Sequence, residues 1–67
     1  MPFIQVSMAA GRSPEQIRQL IHELTEVTVR VAQAPAEAVS VVVTEVEHDK
    51  WATADVTIAE NKAKASA

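Results

Sequence analysis

The chain has 67 residues, a formal net charge of −3 and 48% apolar residues. That length bounds it to one small domain, and an acidic balance with scattered Lys and Arg excludes a phosphate-binding surface for nucleic acid. The absence of cysteine excludes disulfides and thiolate metal sites.

A chain this short buries only about 60% of the surface its unfolded form exposes. The apolar share exceeds what one such core can hide, so the surplus is expected at subunit interfaces. No apolar run approaches the ~20 residues of a membrane span. The N-terminus lacks a basic segment followed by an apolar one, so a cytoplasmic location is expected.

Residues 2–8, PFIQVSM, alternate and predict a strand. Ile4, Val6 and Met8 share one face; Phe3, Gln5 and Ser7 share the other. The AAGRS stretch breaks the strand, with the chain's single glycine, Gly11, at the break. SPEQ at 13–16 predicts a helix start: Ser13 as cap, Pro14 in the first turn, Gln16 completing a capping box. Ile17, Leu20, Ile21, Leu24, Val27, Thr28 and Val31 then recur at helical spacing as one stripe. Pro35 ends the helix near Ala32 or Gln33.

Residues 39–46, VSVVVTEV, predict a second strand with valine on both faces. A long helix between two strands allows parallel pairing through a right-handed crossover. One helix covers only one sheet face, so the other face is left for another chain. WATADVTIAEN predicts a short hairpin or extended arm, and residues 62–67 a flexible tail. Residues 1–67 thus read as one domain, a small β-α-β subunit with parallel strands and a short C-terminal hairpin or arm.

Conventional catalytic signatures are absent: no phosphate-binding glycine loop, no Cys nucleophile, no HExxH. His22 and Glu26 stand one helical turn apart, but two ligands without a third describe a solvated helix face. Glu45, Glu47 and Asp49 read as a polar loop. Pro2 has two readings. It is a tolerated strand start, or, once Met1 is removed, a rigid secondary amine able to act as a base. An ordinary α-amino group titrates near 7.7–8.0, and desolvation or a nearby cation lowers that further. Arg12, beside Gly11, has a guanidinium suited to bidentate capture of a carboxylate. Trp51, the only tryptophan, suits the wall of an apolar pocket or a subunit interface.

Taken together, Pro2, GRSPEQ at 11–16, the apolar helix, AP at 34–35, VSVVVTE at 39–45 and the aromatic residue at 51 resemble the 4-oxalocrotonate tautomerase family. The resemblance runs from residue 2 to about 60 and rests on the order and spacing of these features. It implies β-α-β subunits assembled into hexamers of one chain or of two, here a homo-oligomer. It implies that Pro2, freed of Met1, is the acid or base in keto–enol tautomerisation of an unsaturated 2-oxo acid. Arg12 then matches the arginine that binds the substrate carboxylate, and Trp51 stands where relatives carry a phenylalanine. No cofactor is implied; a proton shuttle and a charge anchor suffice.

Two departures stand out. The second arginine of the 2-hydroxymuconate enzyme falls at Ser40, which donates a hydrogen bond but supplies no charge. A monocarboxylate preference is therefore expected, with Ser40 brought toward a neighbouring chain's Pro2. The glycine-rich hairpin of relatives is replaced by ATAD at 52–55, which puts that hairpin in question. Two other readings stay open. One is water addition to an unsaturated or halogenated acid, which needs a carboxylate such as Glu45 or Asp49 near the amine. The other is a non-catalytic partner subunit of a hetero-oligomer.

Overall fold

The structure, a computed structural model, describes residues 1–66. Strand β1 (Phe3–Ala9) leads through a short loop into helix α1 (Pro14–Ala32). A single 3-10 turn (Ala36–Ala38) precedes strand β2 (Ser40–Val46). A two-residue hairpin, β3 (Ala52–Thr53) and β4 (Val56–Thr57), is followed by helix α2 (Ile58–Ser66).

The β-α-β unit forms as its sequence dictates. β1 and β2 pair in parallel, with Phe3 opposite Ser40, Val6 opposite Val43 and Ala9 opposite Val46. Helix α1 starts at the predicted capping box: the Ser13 hydroxyl accepts from the Gln16 amide at 3.1 Å, and the Gln16 side chain accepts from the Ser13 amide at 2.9 Å. It ends at Gln33, whose left-handed backbone (φ 55°) closes the last turn before Pro35.

The alternation along both strands sorts the sheet into two faces. Ile4, Val6, Met8, Val41 and Val43 are half-buried on the α1 side, while Phe3, Gln5, Ser7, Ser40, Val42 and Thr44 are exposed on the other. No described side chain is fully buried; Phe3 is 64% and Val42 41% exposed. The accessible surface, 5004 Å², exceeds the roughly 4,100 Å² expected of a compact monomer of this mass. The chain by itself thus leaves much apolar surface exposed.

Two features depart from the sequence reading, and a third, the hairpin, takes one of the two forms that reading left open. The α1 stripe is narrower than the spacing implied: Val27 and Val31 lie outward, at 38% and 72% exposure, while Thr25 and Val29 join the half-buried side. Thr25 and Thr28 fit there because each hydroxyl donates to a carbonyl one turn earlier, Ile21 and Leu24. The tail expected at 62–67 is helix through Ser66; residue 67 lies outside the described residues. Helix α2 has its own capping box, in which the Thr57 amide donates to the Glu60 carboxylate at 2.8 Å and the Glu60 amide to the Thr57 hydroxyl at 3.1 Å. The Thr57 amide and, less, its hydroxyl hold the Glu60 carboxyl below the ordinary carboxylate range. Finally, the hairpin forms without glycine, with Ala54 (φ 53°) and Asp55 (φ 66°) both in the left-handed region of a primed two-residue turn.

Candidate functional site

The four candidate residues fall into two pairs at opposite ends of the sheet. At one end the Ser40 amide donates to the Pro2 carbonyl at 3.0 Å, opening the parallel ladder. Ser40 therefore lies beside Pro2 of its own chain. Pro2 is half-buried, and Met1 beyond it is wholly exposed. With Met1 attached, the Pro2 nitrogen is an amide and offers no basic lone pair.

At the other end, β1 stops at Ala9 and the chain turns through Gly11, whose φ of +136° disfavours a side chain. Arg12 then folds back, its Nη1 donating to the Ala9 carbonyl at 3.1 Å. Trp51 comes to the same end because β2 runs parallel to β1 and closes in the turn 47–50. The turn is tied to the β1 end by His48, whose Nε2 lies 2.7 Å from the Ala10 carbonyl. Trp51 is half-buried, and its carbonyl accepts from the Ile58 amide at 2.9 Å.

The seven residues of β1 span about 20 Å. One chain therefore holds Pro2 and Ser40 at one end and Arg12 and Trp51 at the other, and Pro2 does not meet Arg12 within a single chain.

Arg12 borders a cleft of about 380 Å³ with Pro14, Ile17, Arg18, Ile21 and Glu45. Pro14, Ile17 and Ile21 give it apolar lining, and Arg12, Arg18 and Glu45 give it charged groups. Arg18 and Glu45 were not legible as cleft residues in the sequence. Arg18 reads as solvated helix, although it stands one turn after Pro14 on the cleft side. Glu45 enters through the register that sets it opposite Met8. Formally Arg18 and Glu45 offset each other, leaving one net positive charge. Elsewhere His22 pairs with Glu26 at 3.2 Å and Lys50 with Asp49 at 3.2 Å, both exposed. No group of three or more His, Asp or Glu suited to a metal occurs among the described residues, and no helix there is long and apolar enough to cross a membrane.

Comparison with known proteins agrees with this architecture. The family model described as "Tautomerase enzyme" matches residues 2–61. A probable tautomerase of Streptococcus mutans is 54% identical over 41 residues, which cover 61% of this chain and 67% of that one. TomN, a 4-oxalocrotonate tautomerase homologue of the tomaymycin biosynthetic pathway, superposes with a TM-score of 0.89 at 34% identity, covering 92% of this chain and 95% of its own. A heterohexamer 4-oxalocrotonate tautomerase from Chloroflexus aurantiacus gives a TM-score of 0.84 at 27% identity, covering 90% and 97%. Parallel β-α-β topology, a proline at the strand start and a family match across nearly the whole chain converge: this chain belongs to the tautomerase enzyme family.

Proposed function

We propose that the chain is a cofactor-free tautomerase that moves a proton on a small unsaturated 2-oxo or enol acid, at a site assembled from two chains. The separation of Pro2 from Arg12 by the length of β1 carries this reading. Both outer edges of the two-stranded sheet are unpaired within the chain. Pairing two copies antiparallel along such an edge sets the opening of one β1 against the end of the other. Pro2 of one chain then meets Arg12 and Trp51 of the next, and the two-fold makes two such sites. Apolar surface at Phe3 and Val42 supports further assembly through the outer sheet face, toward a hexamer.

In that site each residue has one task. The neutral Pro2 amine takes the enol proton, the electron pair shifts along the conjugated chain, and the resulting ammonium returns a proton to carbon. Arg12 holds the carboxylate and stabilises the negative charge that develops on the dienolate. Trp51 limits water, which keeps the amine neutral and strengthens the Arg12 contact. Ser40, beside Pro2, offers a hydroxyl and no cation.

A second reading, addition of water to an unsaturated acid, is favoured by one observation: Glu45 borders the Arg12 cleft. Glu45→Gln separates the two, since hydration needs that carboxylate and tautomerisation does not. The direct test of the leading reading pairs intact mass with turnover on 2-hydroxydienoates and phenylenolpyruvate. Purified single chain beginning at Pro2 is expected to turn over, and chain retaining Met1 is expected to be inert. Equal turnover of both forms would rule out the proline base. An inert processed chain that gains activity only with a second, different chain would identify a partner subunit instead.

A further inference from the structure

We propose that His48 is a positioning residue for Arg12, coupling helix α2 to the anion-binding loop; the functional part rests on Arg12 being the carboxylate anchor. The imidazole joins three segments. Its Nε2 lies 2.7 Å from the Ala10 carbonyl, its Nδ1 lies 3.1 Å from Lys62 Nζ, and its own backbone carbonyl accepts from the Ala59 amide at 3.1 Å. A carbonyl only accepts and an ammonium only donates. Nε2 therefore carries the ring proton toward Ala10, and Nδ1 presents its lone pair to Lys62. The tautomer is fixed from both sides.

Ala10 is where this matters. Its amide donates to the Val46 carbonyl at 2.9 Å and its carbonyl receives the His48 proton, so both backbone groups are held. It is the last residue so held before Gly11, where a side chain would meet nothing within 4 Å. No side chain packs the chain at Gly11, and Arg12 follows it directly. Without the His48 bond, the strand side of Arg12 would keep only its contact to the Ala9 carbonyl, while Ser13 holds the helix side through the capping box. Lys62 orients the ring, the ring holds Ala10, and Ala10 sets where the guanidinium leaves the strand end.

The test compares His48→Leu, which removes donor and acceptor, with His48→Gln, whose amide supplies both. In the assembled enzyme His48→Leu should raise KM for an anionic substrate roughly five- to tenfold, with kcat less affected. It should also speed hydrogen exchange at the Ala10 amide, which donates to the Val46 carbonyl. His48→Gln should restore both to within about twofold of the parent. Nitrogen NMR of the unmodified protein should show the Nε2–H tautomer at neutral pH, a readout needing no variant to fold. The opposite tautomer would overturn the proposal, as would unchanged exchange in a folded His48→Leu or a Gln variant as impaired as the Leu one. Arg12→Ala is the parallel control. If it leaves KM unchanged, the anchor reading fails, while the exchange and tautomer results still judge the coupling.

Discussion

The Ser40 amide donates to the Pro2 carbonyl of the same chain at 3.0 Å, and this bond places the two residues together at the opening of the sheet. Arg12 sits about 20 Å away at the far end of β1. In the proposed two-chain site, a substrate reaching from the Pro2 amine to a neighbour's Arg12 would have Ser40 near one end and a guanidinium at the other.

That arrangement predicts selectivity. The Arg12 cleft has one net positive charge, and Ser40 adds none. A second carboxylate would be left unpaired in a partly dry site, which is costly. The enzyme is expected to prefer monocarboxylates, and Ser40→Arg to raise kcat/KM selectively for dicarboxylates. Sedimentation must first show the variant intact, because Arg is much larger than Ser. An unchanged ratio of kcat/KM values in an intact oligomer would remove position 40 from the site.

The hairpin carries a correctable strain. Ala54 occupies φ 53° at the first position of a primed turn, where a Cβ is disfavoured and glycine is not. Ala54→Gly should stabilise the protein by about 1 kcal/mol, because relief of the left-handed strain outweighs the added unfolded-state entropy. Denaturant midpoints at constant m-value measure it. Destabilisation would mean that the Ala54 methyl is sequestered between chains.

Acid should act first on α2. The Glu60 carboxyl is held below the ordinary range by the Thr57 amide and, less, by its hydroxyl. A carboxylate depressed in the folded state contributes its stability above the unfolded pKa, about 4.3, and loses it as pH falls through the lower folded value. Protection from hydrogen exchange in residues 58–61, taken relative to the intrinsic rate at each pH, should therefore fall on acidification below about pH 4, and Glu60→Gln should remove that dependence. The same pH dependence in the Gln variant would assign it to another group.

The outer sheet face should be an interface. Phe3 at 64% and Val42 at 41% exposure flank the Gln5–Thr44 hydrogen bond of 3.0 Å on that face. Val42→Glu would bury a charge there without a partner. Sedimentation at micromolar concentration is expected to show smaller species for this variant than for the parent. An unchanged mass would leave the face free.

How much of this was legible depends on the range of each signal. The Ser13–Gln16 box, the Gln33 cap before Pro35 and the strand alternation are short-range, and sequence alone placed them. Helix α2 carried an equally short signal, T-x-x-E at 57–60, but the alanine–lysine composition after it reads as a tail. Val27 and Val31 continue the helical spacing of the α1 stripe in the sequence, yet both lie outward in the chain. A subunit that meets other chains can be apolar on two faces. Arg18 and Glu45 meet Arg12 only through the packing of α1 on β2, which no local pattern reports. The split of the candidate residues was in principle readable, since a strand of seven residues separates its two ends.

The central claim is that Pro2 and Arg12 act together across two chains. Pro2→Ala and Arg12→Ala are each expected to fold and assemble. The first should be inert, and the second should lose about one to two decades in kcat/KM, as expected for a charge-assisted hydrogen bond. Processed chains of the two kinds, denatured together and refolded in equal amounts, give mixed two-fold pairs with one intact site and one doubly altered site. Random assembly predicts recovery of about a quarter of parental activity, well above that of either variant alone. Activity in the mixture no greater than the average of the separate variants, with mixed oligomers verified by native mass, would contradict a site shared between chains.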